Sequence, residues 1–200
     1  MQPETQNKEN RQPTRRNTRL RIMEAAAAVA HEIGPARLSL DAVAERAGLS
    51  KGGLLYHFPT KASLILALVT HYCEEIEREV GMAGEPAGRV TGEEVACGLT
   101  RAFSKRHVTP SGGGSEVLAA LAQTPELLDP VRRHHARVAA LLRQAERPEA
   151  AILAFLVVEG LRALALFDAD PLTPEERERV LALVDDIVRA GSAAAHVPPG

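Results

Sequence analysis

Tryptophan is absent from this 200-residue chain, which has only two cysteines and six aromatic residues. With so few rings, and with alanine and leucine abundant, the core has to be aliphatic, which suits packed helices better than a β-sandwich. Cys73 and Cys97 stand far apart without a Cys-x-x-Cys pair, which excludes a disulfide scaffold and gives no zinc signature. Long uncharged apolar runs are also missing. The greasiest stretch, Ile152 to Phe167, is sixteen residues long and contains Glu159 and Arg162, short of the roughly twenty needed for a membrane span. MQPETQNKEN, at the start, has no apolar segment and so does not read as a secretory signal. A cytoplasmic protein with no membrane association is expected. There is no Walker sequence, HExxH, Rossmann glycine pattern or GxSxG context. No catalytic residues, metal or cofactor are therefore expected.

The formal net charge is −2, but it is unevenly spread. Residues 1–61 hold ten lysines and arginines against six acidic residues, and the remainder holds fourteen against twenty. The basic excess is concentrated in Lys8, Arg11, Arg15, Arg16, Arg19 and Arg21. A basic end on an acidic body predicts that only the N-terminal end meets a polyanion.

Residues 1–16 read as a polar, basic, disordered arm. From Thr18 the apolar positions Leu20, Met23, Ala27 and Ala30 recur at helical spacing, and Gly34-Pro35 ends the helix. Ser39 is placed to cap a short helix from Leu40 to Ala47, Gly48 breaks it, and a second short helix runs from Lys51 to His57. After Phe58-Pro59, Thr60 caps a longer helix with Leu64, Leu68, Tyr72 and Ile76 on one face. GMAGEPAGRVTG reads as a loop. Further helices are predicted at Glu93–Lys105, Ser115–Gln123, Glu126–Gln144, Glu149–Phe167 and Pro174–Ala190. The last opens on Thr173 as N-cap, with proline first and glutamate third. VTPSGGGS is a flexible connection and GSAAAHVPPG a frayed tail. No run alternates with period two, so the expected fold is all-α: three short helices followed by about six longer ones.

The segment SLDAVAERAGLSKGGLLYHFPTKASL, residues 39–64, is the most informative. Two short helices joined at Gly48 form a helix-turn-helix. Ala44 is small enough to let them approach, Gly48 can adopt positive φ, and Val43, Ala47, Leu49 and Leu54 supply the core behind. Such a unit can lay its second helix in a major groove. Ser50 and Lys51 open that helix, whose free N–H groups favour an anion. Tyr56 and His57 close it, Lys61 lies in the next helix, and Ser39 begins the first. Gly52 and Gly53 each cost a helix about 1 kcal/mol against alanine. That fits a frayed helix or, as the preferred reading, close approach of backbone to DNA. Tyr56 and His57 also fit a core aromatic beside a surface histidine, and Arg15, Arg16 and Arg19 fit solvated charge as well as contact from a leading arm.

Together these residues resemble the N-terminal DNA-binding domain of the TetR family of transcriptional regulators, above all LSKGGLLYHFPTKASL followed by a long helix. The resemblance covers about residues 15–65, with the turn, the Tyr-His-Phe and the later lysine in register; beyond it the chain is similar only in helix number and length. It implies that Ser50, Lys51, Gly52, Tyr56, His57 and Lys61 contact an operator, with Thr18 and Ser39 on phosphates. Leu55 stands where relatives commonly have a second tyrosine, which takes away one phosphate contact. The two glycines leave few side chains to read bases, so Lys51, the basic arm and DNA shape are expected to carry much of the selectivity. The resemblance implies a one-component regulator, a repressor by family expectation, that binds a palindromic operator as a homodimer. A small-molecule effector would lower its DNA affinity by favouring another spacing of the two heads. The implied organisation is a basic arm over 1–16, the DNA-binding unit over 17–62, an effector-binding and dimerisation unit over 63–191, and a tail over 192–200.

In the larger unit, His134-His135 lies on a helix whose stripe Leu127, Val131, Val138 and Leu141 or Leu142 brings one histidine to the apolar face. A satisfied buried histidine leads a pocket-lining donor there. Metal is disfavoured, since adjacent residues do not share a face. Phe103 and His107, one turn apart, and Phe155 pose the same choice between core and ligand contact. Glu159 pairs with Arg162 at i, i+3, reaches across a dimer interface, or meets a cationic ligand. The candidate ligand residues are thus Phe103, His107, His134, Phe155 and Glu159, and the scarcity of aromatics argues against large flat dyes and for an aliphatic or modest-sized effector. Cys73 reads as a small core residue. The last two long helices carry apolar stripes broader than a surface helix needs, which marks them for a dimeric four-helix bundle. Two other readings stay open. One is an all-α ligand carrier or enzyme with an incidental helix-turn-helix, which would need a convergent catalytic set that is not visible. The other is a DNA-binding regulator controlled by a protein partner.

Overall fold

The structure, a computed structural model, describes residues 15–33, 38–83, 90–105, 125–167 and 169–192. Among these residues there are eight α-helices and no strand. They are α1 (Arg15–Ile33), α2 (Leu40–Arg46), α3 (Lys51–His57), α4 (Lys61–Glu79), α5 (Gly92–Lys105), α6 (Asp129–Leu142), α7 (Pro148–Leu166) and α8 (Pro174–Ser192), with one 3-10 turn at Pro125–Leu128 before α6. The expected all-α class is what is found. Most of the basic arm, the Gly34-Pro35 break, the helix expected at Ser115–Gln123, the glycine-rich connection, His107 and the tail lie outside the described residues.

Helix ends follow local chemistry. Ser39 and Ser50 accept hydrogen bonds from the N–H groups of Ala42 and Gly53, and Thr60 and Ser63 cap each other reciprocally at the start of α4. Thr173 and Glu176 form the same box at α8, as do Thr91 and Glu94 at α5. At the end of α2, Gly48 takes φ +62°. The Leu49 N–H then returns to Ala44 and the Gly48 N–H to Glu45, a Schellman closure that needs the left-handed residue. Gly81 closes α4 in the same way, with φ +79° and the Met82 N–H on Glu77.

Four details differ from the sequence expectation. α1 begins at Arg15 and not at Thr18, so at 19 residues it is not short. Its buried face is Ile22, Ala25, Ala26 and Val29, while Leu20 is exposed. Four successive alanines give a periodicity argument no contrast, so Ile22 and Val29, seven residues apart, set the face. On α4 Tyr72 is exposed and not on the apolar face, while Cys73 is buried as expected. The helix expected over Glu126–Gln144 is split: Pro130, which has no N–H, falls at the first turn of α6, and the residues before it wind as a 3-10 turn.

The apolar residues gather into two cores. Ile22, Ala26, Val43, Leu54, Phe58 and Leu64 form one, behind the helix-turn-helix. Ile76, Val95, Leu99, Val138, Leu142, Val158 and Val188 anchor the other, built from α4 to α8. α4 belongs to both, with Leu64 in the first and Ile76 in the second. In the second core α5 lies unusually close to its neighbours. A Cβ on Gly92 would stand 2.7 Å from the Leu141 carbonyl, and one on Gly98 3.0 Å from the Val80 side chain.

Candidate nucleic-acid interface

α2 and α3 make the helix-turn-helix expected from the sequence. Leu54 and Phe58 hold α3 against the first core, both essentially inaccessible, which turns the opposite side of α3 outward. Ser50, Lys51 and Gly52 are exposed at its first turn, and Tyr56 is 66% exposed at its last. His57 is half-buried beside Tyr56, its ring edge-on at 5.3 Å. Lys61 is exposed at the start of α4, Ser39 at the start of α2, and Thr18 is half-buried on α1. The eight residues singled out as DNA contacts thus come from the first turns of α1 to α4 and the last turn of α3. A Cβ on Gly52 would meet nothing within 4 Å, so no packing among the described residues requires glycine there.

The charges at this end are partly engaged. The Lys51 ammonium lies 2.9 Å and 3.0 Å from the two carboxylate oxygens of Asp41 on α2. Arg46 makes a fork with Glu32 of α1 at 2.6 and 2.9 Å. Arg15 lies over the Tyr56 ring and Arg19 over the Phe58 ring. The Lys51–Asp41 and Arg46–Glu32 pairs are at the surface and hence individually weak and salt-sensitive.

A second cluster of polar groups lies between α4, α6 and α7. Glu77 on α4 is buried; His134 donates to its carboxylate from Nδ1 at 3.2 Å and Arg137 donates at 2.5 Å. Glu159 on α7 pairs with His135 at 3.4 Å and with Arg162 at 2.8 Å. Phe155 stands edge-on to His135 at 5.2 Å. Burial pushes the His134 ring below the usual imidazole range, against the opposing pull of Glu77. For Glu159 burial works against ionisation, but the His135 hydrogen bond and the Arg162 charge outweigh it and hold the carboxyl below its ordinary range. The structure thus brings His134, Phe155 and Glu159 into one cluster, whereas Phe103 is buried in the apolar core.

The sequence reading missed Glu77 and Arg137, although a signal was present. Cys73, Ile76, Glu77 and Val80 form one buried stripe, and an acidic residue on such a stripe has to find a partner. No group of three metal-binding side chains occurs among the described residues, and no single helix among them is long and apolar enough to cross a membrane.

Comparison with known proteins adds two family matches. Residues 22–68 match bacterial regulatory proteins of the tetR family, and residues 98–189 match a tetracyclin repressor-like C-terminal domain; together the two cover most of the chain. Among solved structures, the multidrug binding protein EbrR complexed with ethidium is 27% identical, with a TM-score of 0.56 over 84% of this chain and 98% of that one. EbrR complexed with malachite green is 29% identical, with a TM-score of 0.54 over 83% and 96%. A transcriptional regulator from Rhodococcus sp. Rha1 is 25% identical, with a TM-score of 0.59 over 86% and 96%.

Proposed function

The chain belongs to the TetR family of transcriptional regulators, and from that premise we propose that it is a one-component repressor acting in the cytoplasm without catalytic activity of its own. Residues 17–62 bind a palindromic operator. The observation that carries this is the outward side of α3, with Ser50, Lys51, Gly52 and Tyr56 exposed along it and Lys61 exposed beyond its end. Ser39 and Thr18 add backbone contacts. A palindrome requires two heads about 34 Å apart, hence a homodimer. Leu153, Leu156 and Phe167 of the α7 region and Leu183 of α8 are exposed apolar residues that a partner copy would cover.

Residues 63–191 take up a small molecule, as EbrR does with ethidium and malachite green. Because the molecule binds better to a head spacing that does not fit the operator, it lowers DNA affinity by that difference. His134, Phe155 and Glu159 are the contacts retained for it; Phe103, by its burial, would shape the site from behind.

The test is a fluorescence-anisotropy titration of the protein against the DNA upstream of its own gene, at several salt concentrations, with scrambled DNA of equal length as control. Tight, sequence-selective binding with a steep salt dependence is expected. Absence of binding to any DNA at low salt would overturn the reading in favour of a helical carrier.

A further inference from the structure

Two buried polar atoms have no hydrogen-bond partner among the described residues: Nε2 of His134 and Nη2 of Arg162. Buried polar groups are nearly always paired, so two exceptions need a reason. They belong to one network. His134 is bound to Glu77, its neighbour His135 to Glu159, and Glu159 to Arg162. The rings of His134 and His135 lie 5.8 Å apart, and the Arg162 charge is near enough to His134 to oppose its protonation.

The hydrogens on these atoms decide what can join them. An ionised carboxylate only accepts, so the His134 Nδ1 that faces Glu77 carries a proton. Burial keeps the ring neutral, and His135 and Arg162 oppose a further charge. Nε2 is therefore a bare lone pair, whereas Arg162 Nη2 can only donate. Each carboxylate of the cluster already faces an arginine, Glu77 with Arg137 and Glu159 with Arg162. Its charge is thus already balanced, and an added cation would meet the arginine's repulsion there.

We infer that this cluster is the polar end of a ligand site for an uncharged molecule with a hydroxyl or primary carboxamide head, which donates to His134 Nε2 and accepts from Arg162 Nη2. A carboxylate cannot make the first bond and an ammonium cannot make the second. Phe155 stands edge-on to His135, and the Tyr72 ring centre is 6.0 Å from the Arg162 guanidinium carbon, so the cluster has two aromatic neighbours. The inference rests on the proposed effector role of residues 63–191 and narrows it to one ligand chemistry.

The full-length protein, labelled with 15N-histidine, tests it by long-range proton–nitrogen NMR, with His134 assigned by comparison with His134→Asn. The free protein is expected to show His134 with Nδ1 protonated and Nε2 bare. Phenol and benzamide should move the Nε2 resonance saturably, at least about tenfold more tightly than benzoate or benzyltrimethylammonium, the equivalent of losing one buried hydrogen bond. Arg162→Met should weaken the phenol response by a similar factor. Arg162→Lys, which keeps a cation on Glu159 but withdraws the second guanidinium nitrogen, replaces it should the first variant not fold. A protonated Nε2, no saturable response to phenol or benzamide, or equal binding of benzoate would each overturn the site. Operator affinity measured on the same sample separates the two readings. Operator binding without a phenol response overturns the site alone, and a phenol response without any DNA binding keeps the site and overturns the regulator.

Discussion

The guanidinium carbon of Arg19 stands 4.5 Å from the centre of the Phe58 ring. One helical turn earlier, Arg15 stands 5.2 Å from the ring of Tyr56. The first turns of α1 are thus laid along the C-terminal end of α3, so the basic face of α1 and the recognition helix form one surface. Phe58 is buried, and a cation–π contact at such a site contributes about 0.5–2 kcal/mol. Arg19→Ala should lower the thermal midpoint by about 2–4 °C for a chain of this size, with Arg19→Lys retaining part of the effect. Thermal unfolding followed by circular dichroism measures this, and unchanged midpoints would show that α3 is held by Leu54 and Phe58 without the arginine.

Lys51 is expected to exchange Asp41 for a DNA phosphate. Lys51→Met should weaken binding and make the log–log salt slope shallower by about 0.9, the value for one phosphate contact. Asp41→Asn should act in the opposite direction, raising affinity at low salt with the slope unchanged, since it removes a competitor and adds no contact. Anisotropy titrations over a salt series separate the two outcomes. A slope unchanged in Lys51→Met would place the lysine off the backbone.

What the sequence made legible is whatever is settled within a few residues. Ser39, Thr60 and Thr173 were readable as caps because a cap bonds two or three positions away. Gly48 was readable because few other residues take positive φ. The face of α1 and the outward turn of Tyr72 were not, because one position is a rotation of about 100°, and alanines and half-apolar residues give no contrast over that step. The Glu77–His134 pair was hidden for another reason. Its partners are 57 residues apart, and only the packing of α4 on α6 decides that they meet.

Leu156 and Leu183 are 58% and 60% exposed, which is high for large apolar side chains near the middle of two long helices. If α7 and α8 form the dimer face, Leu156→Glu and Leu183→Glu should each convert a dimer to a monomer at micromolar concentration while leaving helicity intact, because a carboxylate would be buried without a partner. Light scattering after size-exclusion chromatography shows the mass directly. A variant that stays dimeric would place the interface elsewhere.

His134 should make stability pH-dependent. It is surrounded by Glu77 from α4, His135 and Arg137 on α6, and Glu159 and Arg162 from α7, and burial lowers its folded pKa. The unfolded chain therefore takes up the proton first as pH falls. The stabilising contribution is complete above about pH 6.5 and is lost as pH drops through the unfolded pKa toward the folded one, at up to about 1.4 kcal/mol per pH unit. Urea unfolding at pH 7.5, 6.5 and 5.5 should show a steeper decline for the wild type than for His134→Gln. Identical slopes would mean that the ring is not held neutral.

α4 is anchored at Leu64 in one core and at Ile76 in the other. Twelve residues of α-helix separate those anchors by about 18 Å, with no hinge residue between them. Such a helix behaves as a stiff lever arm. A tilt of about 10° with Ile76 as fulcrum carries Leu64 about 3 Å sideways over that length, close to the roughly 3.4 Å rise of one base pair. A small rearrangement around Glu77, one residue beyond the fulcrum, would thus move the DNA-reading head by nearly one step of the double helix.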